Sequence, residues 1–226
     1  MDLTLPSGTA AHLALTDGAD RGLVVVPDIW GLRPLFTDLC HTLAARTGWS
    51  VACVEPFPGQ ALAGAEDPEA GLAERGAAIA ATPDAQLLGD VVAAADATGA
   101  PKVGVIGFCM GGMYALKAAG TGRFDAAVGF YGMVHHPEHW SGPGQEQPLD
   151  CLARAAAAGT RVMAVVGSVD PWTPPEQLAE LEQAGVTVVR YEGADHGFVH
   201  DPSRPAHRAD DAADAWDRAL KFLDGV

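Results

Sequence analysis

Apolar residues recur along the chain in short continuous runs, separated by longer stretches in which apolar and polar positions alternate with helical spacing. A run that is apolar at nearly every position is typical of a strand covered on both faces, as in a parallel sheet. The sequence therefore predicts a succession of buried parallel strands. These runs lie at 22–27, 50–55, 102–107, 126–131, 161–167 and 186–192.

The stretches between and after these runs have the periodicity of amphipathic helices. Two shorter apolar runs, 3–5 and 12–16, are separated by Pro-Ser-Gly and predict an N-terminal β-hairpin. Together the elements predict the α/β class, with a single doubly wound, mostly parallel sheet flanked by helices, in one domain over residues 1–226. The predicted helices span 34–47, 84–98, 110–120, 149–158, 174–184 and 206–224.

Two of these helices have recognisable end signals. Thr173 and Glu176 flank two prolines in a capping-box pattern, which predicts that Thr173 caps the helix that follows. The last helix has acidic residues early and basic residues late, as its dipole favours. Its predicted apolar face consists of Ala209, Ala213, Trp216, Leu220 and Leu223.

Composition narrows the possible partners. With 29 acidic and 14 basic residues the formal net charge is −15, which argues against nonspecific binding to nucleic acid or to an anionic membrane. The N-terminus has no secretory pattern, and no apolar run approaches the length of a membrane span. The four cysteines show no CxxC spacing, so we expect reduced thiols and a cytoplasmic protein.

The motif GFCMGG at 107–112 directly follows a predicted strand and directly precedes a predicted helix. It has the G-x-S-x-G pattern of a nucleophile elbow, with Cys109 in place of serine. Gly107 and Gly111 are needed where neighbouring backbone crowds the turn. The helix N-terminus favours the thiolate of Cys109, and the N–H of Met110 can hold an oxyanion.

A nucleophile needs a base, and the base needs an orienting acid. Asp170 follows one predicted strand and His196, next to a glycine, follows the next one. The chain order Cys109, Asp170, His196 is that of α/β hydrolases and differs from the orders found on other folds. Asp195 is a weaker candidate for the acid, because a residue adjacent in sequence is badly aimed at the imidazole ring.

The loop after the first parallel strand is expected to supply the second oxyanion donor, the N–H of Ile29. Asp28 then lies beside the elbow, where its carboxylate either accepts the thiol proton or holds the thiol in one rotamer. Several aromatic residues also fall next to the predicted catalytic strand ends and are candidates to line an apolar substrate pocket. They are Trp30, Tyr131, Trp172 and Phe198.

In these motifs the chain resembles the dienelactone hydrolase family. The matching pieces are DIWG at 28–31, the elbow at 107–112, FYG at 130–132, GSVD at 167–170 and DHGF at 195–198. They occur in family order over nearly the whole length. The resemblance implies an α/β-hydrolase fold and hydrolysis of an enol lactone or related ester by Cys109, His196 and Asp170. It also implies that the strand-end acid takes the thiol proton when substrate arrives.

The sequence departs from the family pattern at three positions. Asp28 stands where the family often has glutamate, and Arg33 stands where asparagine is frequent. In the founding lactonases an arginine about four residues after the catalytic histidine binds the substrate carboxylate; here that position is His200, and Arg204 comes four residues later. The resemblance therefore leaves Arg33 or Arg75 to bind a substrate carboxylate, and dienelactone itself is not assured as substrate.

Other readings stay open. A cysteine elbow also occurs in redox and stress proteins of the class I amidotransferase-like superfamily, and a non-catalytic thiol sensor would use the same Cys109. An acyl-transferring relative acting on a thioester or a biosynthetic intermediate would keep the same fold. The histidines at 135, 136 and 139 match no metal-site spacing, and we expect neither a metal nor a cofactor. Segments 59–72 and 132–148 follow strand ends, so each is either a lid, a cleft wall or an exposed loop.

Overall fold

The computed structural model describes residues 1–60, 62 and 68–225, and its centre is one mixed sheet. Within this part of the chain the sheet has eight strands in the order β1-β2-β4-β3-β5-β6-β7-β8. The predicted parallel strands are all present, with ends that shift by at most one residue. The strands are β1 (Asp2–Thr4), β2 (Ala10–Ala14), β3 (Arg21–Val26), β4 (Ser50–Val54), β5 (Lys102–Phe108), β6 (Ala126–Phe130), β7 (Arg161–Gly167) and β8 (Thr187–Tyr191).

The N-terminal hairpin is confirmed. Strand β1 pairs with β2 in antiparallel register, with Leu3 opposite Ala11, and β2 then pairs antiparallel with β4. All other neighbours run parallel, from β4 and β3 to β7 and β8. The sheet is therefore mostly parallel, with the hairpin extending one edge.

Helices pack on both faces of the sheet, which confirms the doubly wound architecture. In β3, Leu23 and Val25 face the core shared with α1 and α7, whereas Val24 and Val26 face the core shared with the other helices. Both faces of such a strand are buried, which explains its continuous apolar sequence. The helices are α1 (Pro34–Thr47), α2 (Pro68–Ala81), α3 (Asp84–Ala97), α4 (Met110–Ala119), α5 (Pro148–Ala158), α6 (Pro175–Gln183) and α7 (Ala209–Asp224).

One helix was not predicted. For residues 59–72 the sequence predicts a lid, a cleft wall or an exposed loop, but α2 begins at Pro68; residues 61 and 63–67 of that segment lie outside the described part. The sequence of α2 is rich in alanine and glycine and has only a weak apolar stripe. Its packing partner is a short 3₁₀ turn, Glu138–Trp140, whose Trp140 side chain approaches Gly76 so closely that a Cβ there would lie 2.9 Å from the indole nitrogen.

Two predicted helix details are wrong. The cap of α6 is Pro174, with no side-chain hydrogen bond, and the Thr173 hydroxyl has no partner among the described residues. Two successive prolines extend the backbone here, so the helix begins one residue late. In α7, Ala209 and Ala213 are exposed. Trp216, Leu220 and Leu223 pack on the sheet as predicted, and the rest of the packed face consists of Ala212, Ala215 and Ala219 in place of the two exposed alanines.

Strands β3, β5, β7 and β8 all end at the same edge of the sheet, because they run parallel. The loops after these strands meet there, as is usual for ligand sites in open α/β sheets. No helix in the described ranges is both long and apolar enough to cross a membrane.

Candidate active site

Cys109 occupies a sharp turn between β5 and α4, with φ 57° and ψ −119°. Few residues other than glycine adopt a positive φ, so the surrounding structure must hold this conformation. The expected crowding is confirmed: a Cβ on Gly107 would lie 1.9 Å from the Gly111 carbonyl oxygen, and one on Gly111 would lie 2.1 Å from that of Pro27. The turn leaves Cys109 half-buried at the N-terminus of α4.

His196 and Asp170 form a hydrogen-bonded pair, with 2.9 Å between His196 Nδ1 and Asp170 Oδ2. Asp170 is buried, and its Oδ1 accepts a hydrogen bond from the Trp172 N–H at 2.8 Å. Asp195, the weaker candidate, accepts the backbone N–H of His196 and does not contact its ring nitrogens. The structure therefore brings Asp170 to the imidazole across 26 residues of chain.

The surroundings of His196 favour its protonated form. Burial acts to lower its pKa, but the proximity of the Cys109 sulfur and the hydrogen bonds that the ring makes to Asp170 and Cys109 outweigh burial and raise the pKa of His196 to about 10. An imidazolium between a sulfur and a carboxylate is the charge arrangement of a thiolate–imidazolium pair.

Asp28 is buried at the end of β3, and both of its oxygens are occupied. Arg33 donates to Oδ1 at 2.7 Å and to Oδ2 at 3.0 Å, His200 Nε2 lies 2.8 Å from Oδ2, and the Trp30 N–H donates to Oδ1. Burial alone would raise the pKa of Asp28, but the hydrogen bonds from His200 and Arg33 hold it well below its ordinary value. Asp28 is therefore a firmly ionised carboxylate.

His200 connects Asp28 to Tyr131, whose hydroxyl contacts His200 Nδ1. Burial lowers the pKa of His200 below its ordinary value in spite of the neighbouring Asp28. A neutral His200 donates a hydrogen bond from Nε2–H to Asp28 and accepts a hydrogen bond from the Tyr131 hydroxyl at Nδ1. This arrangement satisfies all three buried groups. This chain of contacts involves the position at which the resemblance placed an arginine, and the sequence offered no signal for the partnership with Tyr131.

Glu55, at the end of β4, holds the same loop from the other side. Its Oε2 accepts the Leu32 N–H at 2.9 Å and its Oε1 accepts the Phe57 N–H at 2.8 Å. Burial raises the pKa of Glu55 above its ordinary value. The loop that carries the Ile29 N–H is thus tied to the sheet by two carboxylates. Within the described residues neither Ile29 nor Met110 donates its backbone N–H to another group.

A cavity of about 230 Å³ lies over Cys109 and His196. Of the aromatic residues expected to line it, Trp30 and Trp172 do so, whereas Tyr131 and Phe198 are buried in the core behind it. Arg33 does not line it, because its guanidinium is engaged by Asp28. Four lining residues were not expected: Leu72, Met133, Trp140 and Arg204.

Segment 132–148 forms a wall of this cavity. It contributes Met133 and Trp140, and the Trp140 ring stacks on that of Trp172 with centroids 6.1 Å apart. Its histidines are engaged separately: His135 contacts Glu180, His136 contacts Ser141, and His139 packs against the two tryptophans. In the parts of the chain described here, no group of three or more histidine, cysteine or carboxylate side chains is arranged to hold a metal ion.

The sequence profile of the dienelactone hydrolase family matches residues 9–226. The chain belongs to the dienelactone hydrolase family. A relative from Bradyrhizobium sp. named "Probable 2-oxo-3-(5-oxofuran-2-ylidene)propanoate lactonase" is 30% identical over 94% of this chain and 88% of its own length. The carboxymethylenebutenolidase of Rhodococcus opacus is 27% identical over 94% of this chain and 84% of its own length.

Solved structures agree on the fold. A crystal structure from Klebsiella pneumoniae, provisionally named a dienelactone hydrolase, superposes with a TM-score of 0.82 over 100% of this chain and 98% of that one, at 24% identity. The α/β-hydrolase fold expected from the sequence is therefore confirmed. As a dienelactone hydrolase family member, the chain is a hydrolase of the lactone and carboxylic-ester class.

Proposed function

We propose that this hydrolase cleaves its lactone or ester through a cysteine nucleophile, with Cys109, His196 and Asp170 acting as a catalytic triad. The observation that carries the proposal is the His196–Asp170 hydrogen bond of 2.9 Å beside a cavity that exposes both Cys109 and His196. Nucleophile, base and orienting acid in this relation constitute the pattern of acyl-transfer catalysis.

In the first half of the reaction the Cys109 thiolate attacks the carbonyl carbon, and the N–H groups of Ile29 and Met110 stabilise the oxyanion. These two donors are available because they have no other acceptor among the described residues. The carbon–oxygen bond then breaks, and the imidazolium of His196 gives its proton to the leaving oxygen. The products of this half are an acyl thioester on Cys109 and a neutral His196.

In the second half His196 takes a proton from water, and the hydroxide attacks the thioester. The thiolate leaves and the imidazolium reforms. An enolate is a suitable first leaving group, since a thiolate is itself expelled easily and reacts productively only when the other group leaves at least as well. The lactone names of the relatives support an enol lactone or an activated ester as substrate.

Asp28 acts in this proposal by holding the oxyanion loop, not as the base for the thiol. Its two oxygens are committed to Arg33, His200 and the Trp30 N–H, and its pKa is too low for it to retain a proton from a thiol. The thiolate is instead stabilised by the imidazolium of His196 and the N-terminus of α4. Arg33 is then a partner of Asp28 and not a ligand of the substrate.

Replacement of Cys109 by alanine tests the proposal. We expect Cys109→Ala to abolish turnover of p-nitrophenyl acetate and of an enol lactone while the chain still folds, which circular dichroism can check. Intact-mass spectrometry of the wild type quenched during turnover should show an acyl adduct, which Cys109→Ala should lack. Asp170→Asn is the matched variant that keeps the sulfur and disturbs only the imidazole.

Three outcomes have different meanings. Retained turnover in Cys109→Ala contradicts the mechanism. A peroxide-induced sulfenate on Cys109 without turnover of any ester indicates a thiol sensor. An acyl adduct that is not hydrolysed by water, but that transfers its acyl group to an added thiol or amine, indicates acyl transfer.

A further inference from the structure

Two histidine rings meet between the N-terminal hairpin and the first helix. His12 lies on β2 and His41 on α1, and their Nε2 atoms are 3.0 Å apart. The rings meet edge to face, with centroids 5.0 Å apart and an interplanar angle of 75°. Neither histidine lines the cavity over Cys109. The pair is therefore a feature that ester hydrolysis does not require.

Asp2 fixes the position of the proton on the His12 ring. Its Oδ1 lies 2.7 Å from His12 Nδ1, and this hydrogen bond lowers the pKa of Asp2 below its ordinary value. An ionised carboxylate can only accept a hydrogen bond, so His12 Nδ1 carries a hydrogen. A neutral His12 then has its lone pair on Nε2, the atom that faces His41. A carboxylate behind an imidazole in this way is the usual partner of a histidine that binds a metal ion.

The two rings differ in their exposure. His12 is buried, whereas His41 and Asp2 are exposed. In the hydrogen bond between the rings, His41 donates its Nε2–H to the lone pair of His12. Because His41 is exposed, exchange with water moves this proton to its Nδ1 at little cost. Both Nε2 lone pairs then face the same point.

The spacing of the two nitrogens suits a transition-metal ion. Zinc binds imidazole nitrogen at about 2.0–2.1 Å, and two such bonds at a tetrahedral angle place the nitrogens about 3.3 Å apart. A movement of a few tenths of an ångström in the exposed His41 ring provides this distance. Within the described ranges no third histidine, cysteine or carboxylate joins the pair to form a larger metal-binding group, so water supplies the other ligands. Imidazole ligands favour zinc, copper and nickel over magnesium and calcium.

The charge on this side of the molecule favours a cation. Asp38 lies one helical turn before His41 on α1 and is also exposed, so the two residues share a face of the helix. The chain as a whole has a formal net charge of −15, and an anionic surface concentrates cations. From sequence spacing alone no metal was expected, because His12 and His41 are 29 residues apart and no motif connects them.

We propose that His12 and His41 bind one divalent transition-metal ion of the zinc type through their Nε2 atoms, with Asp2 orienting the His12 ring. The two imidazole lone pairs replace two water ligands of the ion, and the proton between the rings moves to His41 Nδ1 or to solvent. The three side chains come from β1, β2 and α1. The bound ion therefore ties the N-terminal hairpin to the first helix, in a site separate from the proposed catalytic residues.

Zinc chloride added to the full chain, with its histidines labelled with ¹⁵N, tests the site. We expect one equivalent of zinc to shift the Nε2 resonances of His12 and His41. It should also raise the melting temperature, since an ion that binds only the folded state stabilises that state. Magnesium chloride should do neither.

Two variants separate the ligand from its orienting partner. Asp2→Asn keeps an acceptor for His12 but loses the charge, and we expect it to lower the affinity for zinc roughly tenfold. His41→Ala removes a ligand and should lower the affinity further, while kcat/KM for p-nitrophenyl acetate stays at the wild-type value. Isothermal titration calorimetry measures the affinities, and circular dichroism in the presence of a chelator confirms that the variants fold.

The matched control is His135→Ala. This variant also removes a histidine that contacts a carboxylate, since His135 Nε2 lies 2.9 Å from Glu180 Oε2. It should leave the affinity for zinc unchanged.

Equal zinc affinity in the wild type and in His41→Ala would overturn the proposal. Zinc would then bind elsewhere, and an ion on Cys109 and His196 would be recognised because it inhibits ester turnover. Nε2 resonances of His12 and His41 that do not move in a large excess of zinc would also overturn it. Neither result affects the proposed function, which fails separately if Cys109→Ala retains turnover.

Discussion

His196 is the residue at which the electrostatics of the site are decided. Its Nδ1 forms a hydrogen bond with Asp170. Burial acts to lower the pKa of His196, and the neighbouring Cys109 makes the largest contribution in the opposite direction. A histidine with a pKa of about 10 keeps its proton through neutral pH and loses it only as the pH rises through that value. In the proposed mechanism, the capacity of His196 to protonate a leaving group is therefore retained at neutral pH and lost under alkaline conditions.

The proposed thiolate of Cys109 should be measurable through the pKa of His196. We expect the pKa of His196 to be near 10 in the wild type and to fall towards its ordinary value of 6.5 in Cys109→Ala, because the burial penalty remains while the sulfur is lost. NMR titration of the imidazole resonances measures both values. Cys151→Ala, which removes a cysteine outside the site, is the control and should not move them.

An unchanged His196 titration in Cys109→Ala would show that the sulfur carries no charge in the resting enzyme. The same pKa has a consequence for stability. Since the folded-state value is above the unfolded one, the stabilising contribution of protonated His196 is complete below 6.5 and disappears as the pH rises towards 10.

At the residue scale, sequence motifs predicted side chains whose neighbours in sequence are informative. The glycines around Cys109 and the position of His196 after a strand are local signals, and the structure brings Asp170 to that histidine. Arg204 and His200 had no such signal. His200 meets Asp28 and Tyr131, and the guanidinium of Arg204 lies next to Gly197, only in the folded chain.

Among the elements, the loop after β3 is the one that most needs support, because it carries the Ile29 N–H and has no regular structure. Asp28 holds it by accepting the Trp30 N–H and by its pair with Arg33, and Glu55 holds it by accepting the Leu32 N–H. Carboxylates that accept backbone N–H groups in this way position a donor without using a helix or strand.

This anchoring role predicts the behaviour of Asp28→Asn. The amide keeps an acceptor for Trp30 but loses the ion pair with Arg33, so we expect kcat/KM to fall roughly 10- to 100-fold through misplacement of the Ile29 N–H, the proposed oxyanion donor. The free energy of unfolding should fall by about 2 kcal/mol, because the charge-assisted hydrogen bonds that the half-buried Arg33 donates to this carboxylate are lost. Ester kinetics and urea unfolding measure the two effects.

The pH dependence of thiol alkylation separates this role from that of a base. With Asp28 as an anchor, the rate of iodoacetamide reaction with Cys109 has the same pH profile in the wild type and in Asp28→Asn. A profile displaced to higher pH in the variant would mean that Asp28 accepts the thiol proton. Asp150→Asn, on α5, is a control for the change in charge.

Elements were predictable to the extent that their pattern was strong. Helix α1 was predicted with its observed ends, because its proline start and the glycine after it are clear signals. Helix α2 was missed, since small residues give almost no apolar contrast and its burial depends on Trp140 from a distant segment. The cap of α6 was misassigned because the double proline was read as part of the helix.

At the scale of the whole molecule, one buried ion pair joins parts of the chain on the same face of the sheet. Lys117 of α4 is fully buried, and its Nζ lies 2.9 Å from both oxygens of Asp84 at the start of α3. Asp84 also accepts the Glu146 N–H, which ties in the segment before α5. Burial lowers the pKa of Lys117 in spite of Asp84.

Breaking this pair should destabilise the whole fold. We expect Lys117→Met to lower the free energy of unfolding by about 3–5 kcal/mol, because it leaves Asp84 as an unpaired buried charge. Urea denaturation measures the loss. The double variant Lys117→Met, Asp84→Asn removes both charges and should recover a large part of it. A loss below about 1 kcal/mol in the single variant would contradict a structural role for the pair.

The sequence by itself determined the class of fold and the order of the chemical motifs. Continuous apolar runs specify strands buried on both faces, helical periodicity specifies the crossovers, and parallel strands place the residues after their ends at one edge of the sheet. These are local or statistical properties of the chain. They were sufficient to single out Cys109, Asp170 and His196 as candidates.

Only the tertiary structure decided which partners these residues have. Asp28 and His200 are 172 residues apart. No local pattern specifies that the imidazole of His200 will form a hydrogen bond with the carboxylate that the sequence offered as a base. The cavities that His196 lines likewise depend on how separate loops pack. Sequence restricts each segment through short-range sterics and periodicity, whereas side-chain pairing and cavity shape arise from contacts between segments that the chain brings together only when it folds.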